Sequence, residues 1–230
     1  MPNVLAAVVV TAIFAALAYA LGMISVSGAL GGFAVGAIIY ASLGPQGFIV
    51  LALFVIGGSA LTRLGYALKH RASIAQERGG RRGAKNAIAN CAVATVCAIL
   101  AAATDSTALT AAFVASVGAA FADTAESEVG QLYGHAPRLI TTLREVPPGT
   151  DGAVSLPGTL AGIAAALLTA GLGLALGLVE GPGVVFVVAF AAFLGTVADS
   201  LVGALAPRVG NEATNVVCTL VAAVLAFFIA

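Results

Sequence analysis

Apolar residues run in long blocks with few polar interruptions. Eight blocks can be traced, at residues 4–22, 28–43, 47–68, 87–103, 108–123, 155–178, 183–203 and 212–229. A helix needs about 20 mainly apolar residues to cross a bilayer. The blocks therefore predict an all-α, polytopic transmembrane bundle of about eight helices, forming one integral membrane domain over residues 1–230. Counts of seven or nine helices also fit the pattern. The blocks at 28–43 and 108–123 are short for a span, so they are expected to tilt or to border a polar cavity. Met1-Pro2-Asn3 carries no basic residue ahead of the first block, which reads as a retained helix and not a cleaved leader.

The charged residues sort with this count. With eight spans, all ten Lys and Arg residues fall on one side. Arg63, Lys69, Arg71, Arg78, Arg81, Arg82 and Lys85 belong to the end of the third block and the loop after it, Arg138 and Arg144 to the loop after the fifth, and Arg208 to the loop after the seventh. The positive-inside rule makes that side cytoplasmic and puts both termini outside. Of the ten acids, only Asp105 and Glu180 lie opposite. This one-sidedness predicts an active site open to the cytoplasm.

Composition sharpens the class. Charged residues are 9% of the chain, against about 25% in soluble domains. The 28 Gly favour close helix packing in lipid. Zero net charge points to no nucleic-acid partner. Cys91, Cys97 and Cys218 sit in apolar runs without ligand spacing, so they read as small buried hydrophobes.

Candidate chemistry lies at the block ends. Ala122-Asp123-Thr124-Ala125-Glu126-Ser127-Glu128 closes the fifth block, and Ala198-Asp199-Ser200 closes another apolar stretch. Carboxylates near membrane depth are costly and default to a functional reading. Asp123 and Glu126 share a face if the helix continues that far. Glu128 points about 140° from Asp123, free for another partner. Hard oxygen ligands without clustered His or Cys favour Mg2+. His70 and His135 read as solvated loop residues.

Arg78-Gly-Gly-Arg81-Arg82-Gly-Ala-Lys85 fits either a topology anchor on anionic lipid or a polyphosphate clamp of guanidinium forks and flexible glycines. It lacks Walker A spacing. Asn86 and Asn90 open one helix and Asn211 and Asn215 another. Each pair shares a helical face and suggests a polar cavity wall, or else caps and interhelical hydrogen bonds. After the fifth block come Arg138, Thr141, Thr142, Arg144, the turn Gly149-Thr150-Asp151-Gly152 and Ser155. Turn chemistry alone explains the glycines. Hydroxyls and amides at a helix start also make a phosphate seat.

Taken together, Ala-Asp-Thr-x2-Ser-Glu-x-Gly (122–130), Pro-Arg-x-Ile-Thr-Thr (137–142), Val-Pro-Pro-Gly-Thr-Asp-Gly-x-Val-Ser (146–155), Gly158-Thr159, Asp199-Ser-Leu-x-Gly-Ala (199–204), Asn211-Glu-x2-Asn215 and Gly-Arg-Arg-Gly-Ala (80–84) leading into Asn90 span nearly the whole chain. They resemble the integral membrane family that includes the plant plastid phytyl-phosphate kinase, to which the animal transmembrane protein 19 is similar. The resemblance implies a kinase that turns a prenyl monophosphate lipid into the diphosphate with a nucleoside triphosphate, CTP being the expected donor. It then implies Mg2+ on Asp123, Glu126 and Asp199. Arg81, Arg82 and Lys85 would neutralise phosphate oxygens, Asn86, Asn90, Asn211 and Asn215 would form the polar wall, and Thr141, Thr142 and Gly149–Gly152 would seat the second phosphate. Arg138, Glu128 and Ser155 join the expected substrate contacts.

Two rivals come from other classes. A secondary transporter also places acids among Gly-broken helices, but it needs polar access from both faces, and the outward loops are short and nearly uncharged. Another CTP-dependent membrane phosphotransferase or a cytidylyltransferase is the second. The CDP-alcohol phosphotransferase pattern Asp-Gly-x2-Ala-Arg is absent from the chain.

Overall fold

The computed structural model describes residues 4–230. They form eight α-helices: α1 Val4–Ala20, α2 Val26–Arg63, α3 Tyr66–Arg71, α4 Ala84–Thr104, α5 Thr107–Tyr133, α6 Leu156–Ala175, α7 Gly181–Leu205 and α8 Asn211–Ile229. Two antiparallel two-residue strands, β1 (Arg138–Leu139) and β2 (Ala153–Val154), clip the α5–α6 connection. Among the described residues, six helices are long and apolar enough to cross a membrane, and α1 is a shorter apolar helix. The polytopic helical bundle expected from the block pattern is present. Large apolar side chains such as Leu30, Phe186, Phe190 and Phe228 stay exposed on its outer surface, the surface that lipid covers.

The second and third blocks are joined in α2, which is 38 residues long. A straight helix of that length would measure about 57 Å, nearly twice the hydrocarbon core. It does not stay straight. Gly44 adopts φ 70 and ψ −166, Pro45 follows, and the helical ladder breaks. The arms fold back on each other: a Cβ at Gly36 would lie 3.1 Å from the Phe48 ring, although the two are 12 positions apart in sequence. So the two expected segments exist, with a two-residue corner in place of a loop. That backbone region is essentially glycine-only. Gly44→Ala is expected to lower stability by about 1–3 kcal/mol, read as a lower midpoint of thermal unfolding in mild detergent; an unchanged midpoint would show that the corner tolerates a Cβ.

Two block ends move. The third block was expected to reach residue 68, but α2 ends at Arg63 and Gly65, at φ 61, turns the chain into α3. The fifth was expected to close at 123, yet α5 continues to Tyr133. Its carboxylates therefore stand on the helix and not beyond its end.

The core is organised around α5. Residues 111–122 of this helix are buried on every side, as expected of a helix apolar all round. Neighbours approach through small residues. A Cβ on Gly57 would meet the Phe121 ring at 2.5 Å, and one on Gly195 would meet the Cys218 carbonyl at 2.5 Å. Without a hydrophobic drive between helices in lipid, such close backbone packing supplies the attraction. Serine caps start three helices: Ser25, Ser106 and Ser155 accept from the N–H groups of Gly28, Leu109 and Gly158. The segments leading into α4, α6 and α8 converge on one end of the bundle, where the polar half of α5 emerges.

Candidate active site

A cavity of about 870 Å³ opens at that end. Six parts of the chain build it. The polar half of α5 contributes Asp123, Thr124, Glu126, Ser127 and Glu128, and α7 contributes Asp199 and Ser200. The first turns of α8 bring Asn211, Thr214 and Asn215, and those of α4 bring Lys85, Asn86 and Asn90. Arg78, Arg81 and Arg82 stand on the loop before α4, and Pro148–Gly152, Ser155, Gly158 and Thr159 on the segment entering α6. Acids and bases thus face each other across one polar space.

Arg82 is the most constrained of the bases. Its backbone N–H donates to the Met23 carbonyl at 3.3 Å, and its carbonyl accepts from the Ser25 N–H at 3.0 Å. Gly28 makes this possible, since a Cβ there would lie 2.2 Å from the Arg82 carbonyl oxygen. The guanidinium donates to Asn86 Oδ1 at 3.3 Å and to Thr62 Oγ1 and Thr124 Oγ1, each at 3.4 Å. It sits 5.9 Å from the Phe54 ring centre. Burial lowers its pKa from the ordinary arginine value, and the negative charges of Glu128 and Asp123 oppose that shift. Arginine keeps its proton in either case, so Arg82 is a fixed positive charge with a buried, unpartnered Nε.

The acids differ in their partners. Glu126 accepts from Thr196 Oγ1 at 3.0 Å. Its side chain lies over Gly162, where a Cβ would come within 2.3 Å of Glu126 Cγ. Asp123 lies within electrostatic reach of Asp199, Glu126 and Arg82. One Asp199 oxygen, Oδ1, is buried without a partner. The turn through Gly152 packs directly on α7: a Cβ there would meet the Ala204 Cβ and the Ser200 carbonyl at 2.6 Å. This contact carries Asp151 toward Asp199.

Glu128 takes the other partner that its orientation left open. It lines the cavity, but its Oε2 is paired with Lys69 Nζ, and both side chains are buried, at 4% and 1% exposure. Lys69 also donates to the Thr62 carbonyl at 3.1 Å and the Leu61 carbonyl at 3.3 Å. It ties the end of α2 to α5. By sequence alone Lys69 groups with the cations around the loop after the third block.

Three expected contacts stand apart from the lining. Arg138 donates to the Leu143 carbonyl at 2.8 Å and braces its own turn. Thr141 and Thr142 are exposed, and Thr142 Oγ1 accepts from the Arg144 N–H at 3.4 Å. Arg81, Arg82, Lys85, Asn86, Asn90, Asp123, Glu126, Asp199, Gly149, Thr150, Asp151, Gly152, Ser155, Asn211 and Asn215 all line the one cavity. Sequence reading missed Thr196 and Gly162. Their signals were spacing: Thr196 is three residues before Asp199, and Gly158 and Gly162 are one turn apart.

The acids also fit a hard cation in part. Among the described residues, no three His, Cys, Asp or Glu side chains enclose a metal by themselves. Mg2+ is usually held by one or two carboxylates, with substrate phosphates and water completing its shell. Carboxylate oxygens with one buried orphan, Asp199 Oδ1, suit that mode.

Because Gly162 gives Glu126 its seat, Gly162→Val is expected to push that carboxylate aside. A misplacement of about 1 Å costs on the order of 10²-fold in turnover. The check is the rate of the folded variant; a rate within a factor of two of the parent would show that the seat does not matter.

The model of the family described as integral membrane protein DUF92 matches residues 9–224. The chain belongs to the DUF92 family. An uncharacterized membrane protein of Synechocystis is 41% identical over 198 residues, covering 83% of this chain and 76% of that protein. Another from Methanocaldococcus jannaschii is 35% identical over 206 residues, covering 88% and 84%. Protein VTE6, chloroplastic, of Arabidopsis thaliana is 34% identical over 186 residues, which is 79% of this chain and 56% of VTE6. No solved structure matches. The DUF92 match runs from α1 into α8, so every element of the cavity lies within it.

Proposed function

We propose that this DUF92 protein is a prenyl-phosphate kinase that uses a nucleoside triphosphate, with CTP as the expected donor, and Mg2+. The observation that carries this reading is the single cavity in which Asp123, Glu126 and Asp199 face Arg78, Arg81, Arg82 and Lys85 at the end of a membrane bundle. The plant phytyl-phosphate kinase of the resembling family and the 34% identity to VTE6 support the same class. The charged end faces the cytoplasm, where nucleotides are.

In the reaction, a non-bridging oxygen of the prenyl monophosphate bonds to the terminal phosphorus of the triphosphate. The bond from that phosphorus to the β–γ bridging oxygen breaks. The products are the prenyl diphosphate and a nucleoside diphosphate. The second pKa of a phosphate monoester is about 6, so the attacking oxygen is already anionic and needs no strong base. Positioning and charge neutralisation do the work. Arg81, Arg82 and Lys85 bind phosphate oxygens, with Arg82 held in place by Thr62, Thr124 and Asn86. Asn86, Asn90, Asn211 and Asn215 supply polar contacts along two walls. The Gly149–Gly152 turn and Ser155 seat the second phosphate at the start of α6. Asp123, Glu126 and Asp199 would supply one or two carboxylates to Mg2+, which would offset charge on the triphosphate oxygens.

Among the described residues the cavity lining stays at the charged end, and the other half of α5 is sealed by apolar packing. That favours an enzyme over a transporter. Label position separates the kinase from a cytidylyltransferase. With CTP labelled in the γ-phosphate, label is expected in the lipid product; with α-label, none. Lipid that carries α-label would mean a CDP-lipid and would remove the kinase reading.

A further inference from the structure

A second, apolar cavity adjoins the first. It lies between α1, the two arms of α2 and the start of α4, with a volume of about 60 Å³. Phe14, Val35, Phe48, Leu51, Phe54 and Val55 supply its apolar walls. The two cavities share Arg82, Gly83 and Asn86 as lining. At this junction the guanidinium lies 5.9 Å from the Phe54 ring centre, and its buried Nε has no partner. An apolar groove thus ends at a fixed cation that also belongs to the polar site.

We infer that this groove holds the start of the substrate's hydrocarbon chain, with Arg82 binding an oxygen of its phosphate. The inference rests on the prenyl-phosphate reading of the polar cavity. The geometry selects an amphiphile with one chain and an anionic head. A chain without a charged head leaves the Arg82 Nε unpartnered, and a free phosphate leaves the apolar walls empty. The small volume admits only the carbons nearest the phosphate, so the rest of the chain runs into lipid. Between Gly28 and Val35 the lining extends along α2 for about 10 Å at 1.5 Å per residue. Gly32 lines the groove, and a Cβ added there would meet nothing within 4 Å. A larger side chain can therefore be placed on this wall without a clash at its first carbon.

The test uses the full-length protein in detergent and a prenyl monophosphate carrying a diazirine near its phosphate. After irradiation, label is expected on peptides of the two α2 arms, displaced by unlabelled prenyl monophosphate and not by the corresponding alcohol. Gly32→Phe is expected to cut that labelling and to raise the KM for prenyl monophosphate about tenfold or more, as denying one buried methylene to an apolar site does. Its KM for nucleotide stays unchanged. Label spread over the outer helix faces, or displaced equally by the alcohol, would overturn the inference, the latter meaning that any lipid chain fills the groove. The two readings can fail separately. Groove labelling without diphosphate from any nucleotide would end the kinase reading and leave the groove as a lipid-phosphate site. Turnover with an unlabelled groove and a normal Gly32→Phe KM would do the reverse.

Discussion

Asp123→Asn is expected to reduce phosphoryl transfer by about 10³-fold while the protein still folds, the scale of losing one preorganised electrostatic group in a water-poor site. Asn keeps the shape of Asp and removes only the charge. Asp123 occupies the centre of the acid group, within reach of Glu126, Asp199 and Arg82. In the proposed reaction its charge would help to hold Mg2+ beside the triphosphate. Without nucleotide or cation it stands near two other acids, so the substitution relieves repulsion and stability holds or rises slightly. The variant should therefore elute as the parent does on size exclusion and unfold at or above the parent's temperature. A folded Asp123→Asn protein with full activity would remove Asp123 from the mechanism.

The largest effect on stability is expected at Lys69. Lys69→Met leaves Glu128 buried with neither oxygen bonded, because Oε1 already lacks a partner. Breaking a buried ion pair from one side costs about 3–5 kcal/mol. The variant also loses the hydrogen bonds from Lys69 to the Leu61 and Thr62 carbonyls at the end of α2. Denaturant unfolding in mild detergent measures the loss. The Lys69→Met/Glu128→Leu double variant should recover most of it, since the orphaned charge is gone. A single variant as stable as the parent would mean that Glu128 finds Arg82 instead. In that case activity, and not stability, would carry the loss.

The helical bundle was legible because lipid imposes one rule: backbone polar groups must be satisfied within each segment. Long apolar blocks then leave little choice. The corner at Gly44–Pro45 was legible as a gap between blocks, but not its tightness, because a sequence gap does not reveal that one glycine conformation replaces a loop. The extension of α5 to Tyr133 was hidden because its last two turns are polar. They are mostly half-buried, and they are held by the Glu128–Lys69 pair and by Gly130 packed against the start of α6.

The candidate site was legible where one helix carries the signal, as at Asp123 and Glu126. Partners set by packing between helices were not. Lys69 looks like a loop cation until α3 folds it against α5. Gly162 looks like one more packing glycine until Glu126 is seen to occupy its space. Thr141 and Thr142 failed to join the cavity for the converse reason. Their hydroxyls sit on a turn that the β1–β2 clip and Arg138 hold facing outward.

The central claim is that the cavity transfers a phosphoryl group to a prenyl monophosphate. The most direct measurement incubates the purified protein in detergent with Mg2+, CTP and a panel of prenyl monophosphates, including phytyl and geranylgeranyl phosphate, and detects products by mass spectrometry. The account predicts prenyl diphosphate that disappears when Mg2+ is withheld. Folded protein that forms no diphosphate from any of these lipids with any nucleotide would contradict it.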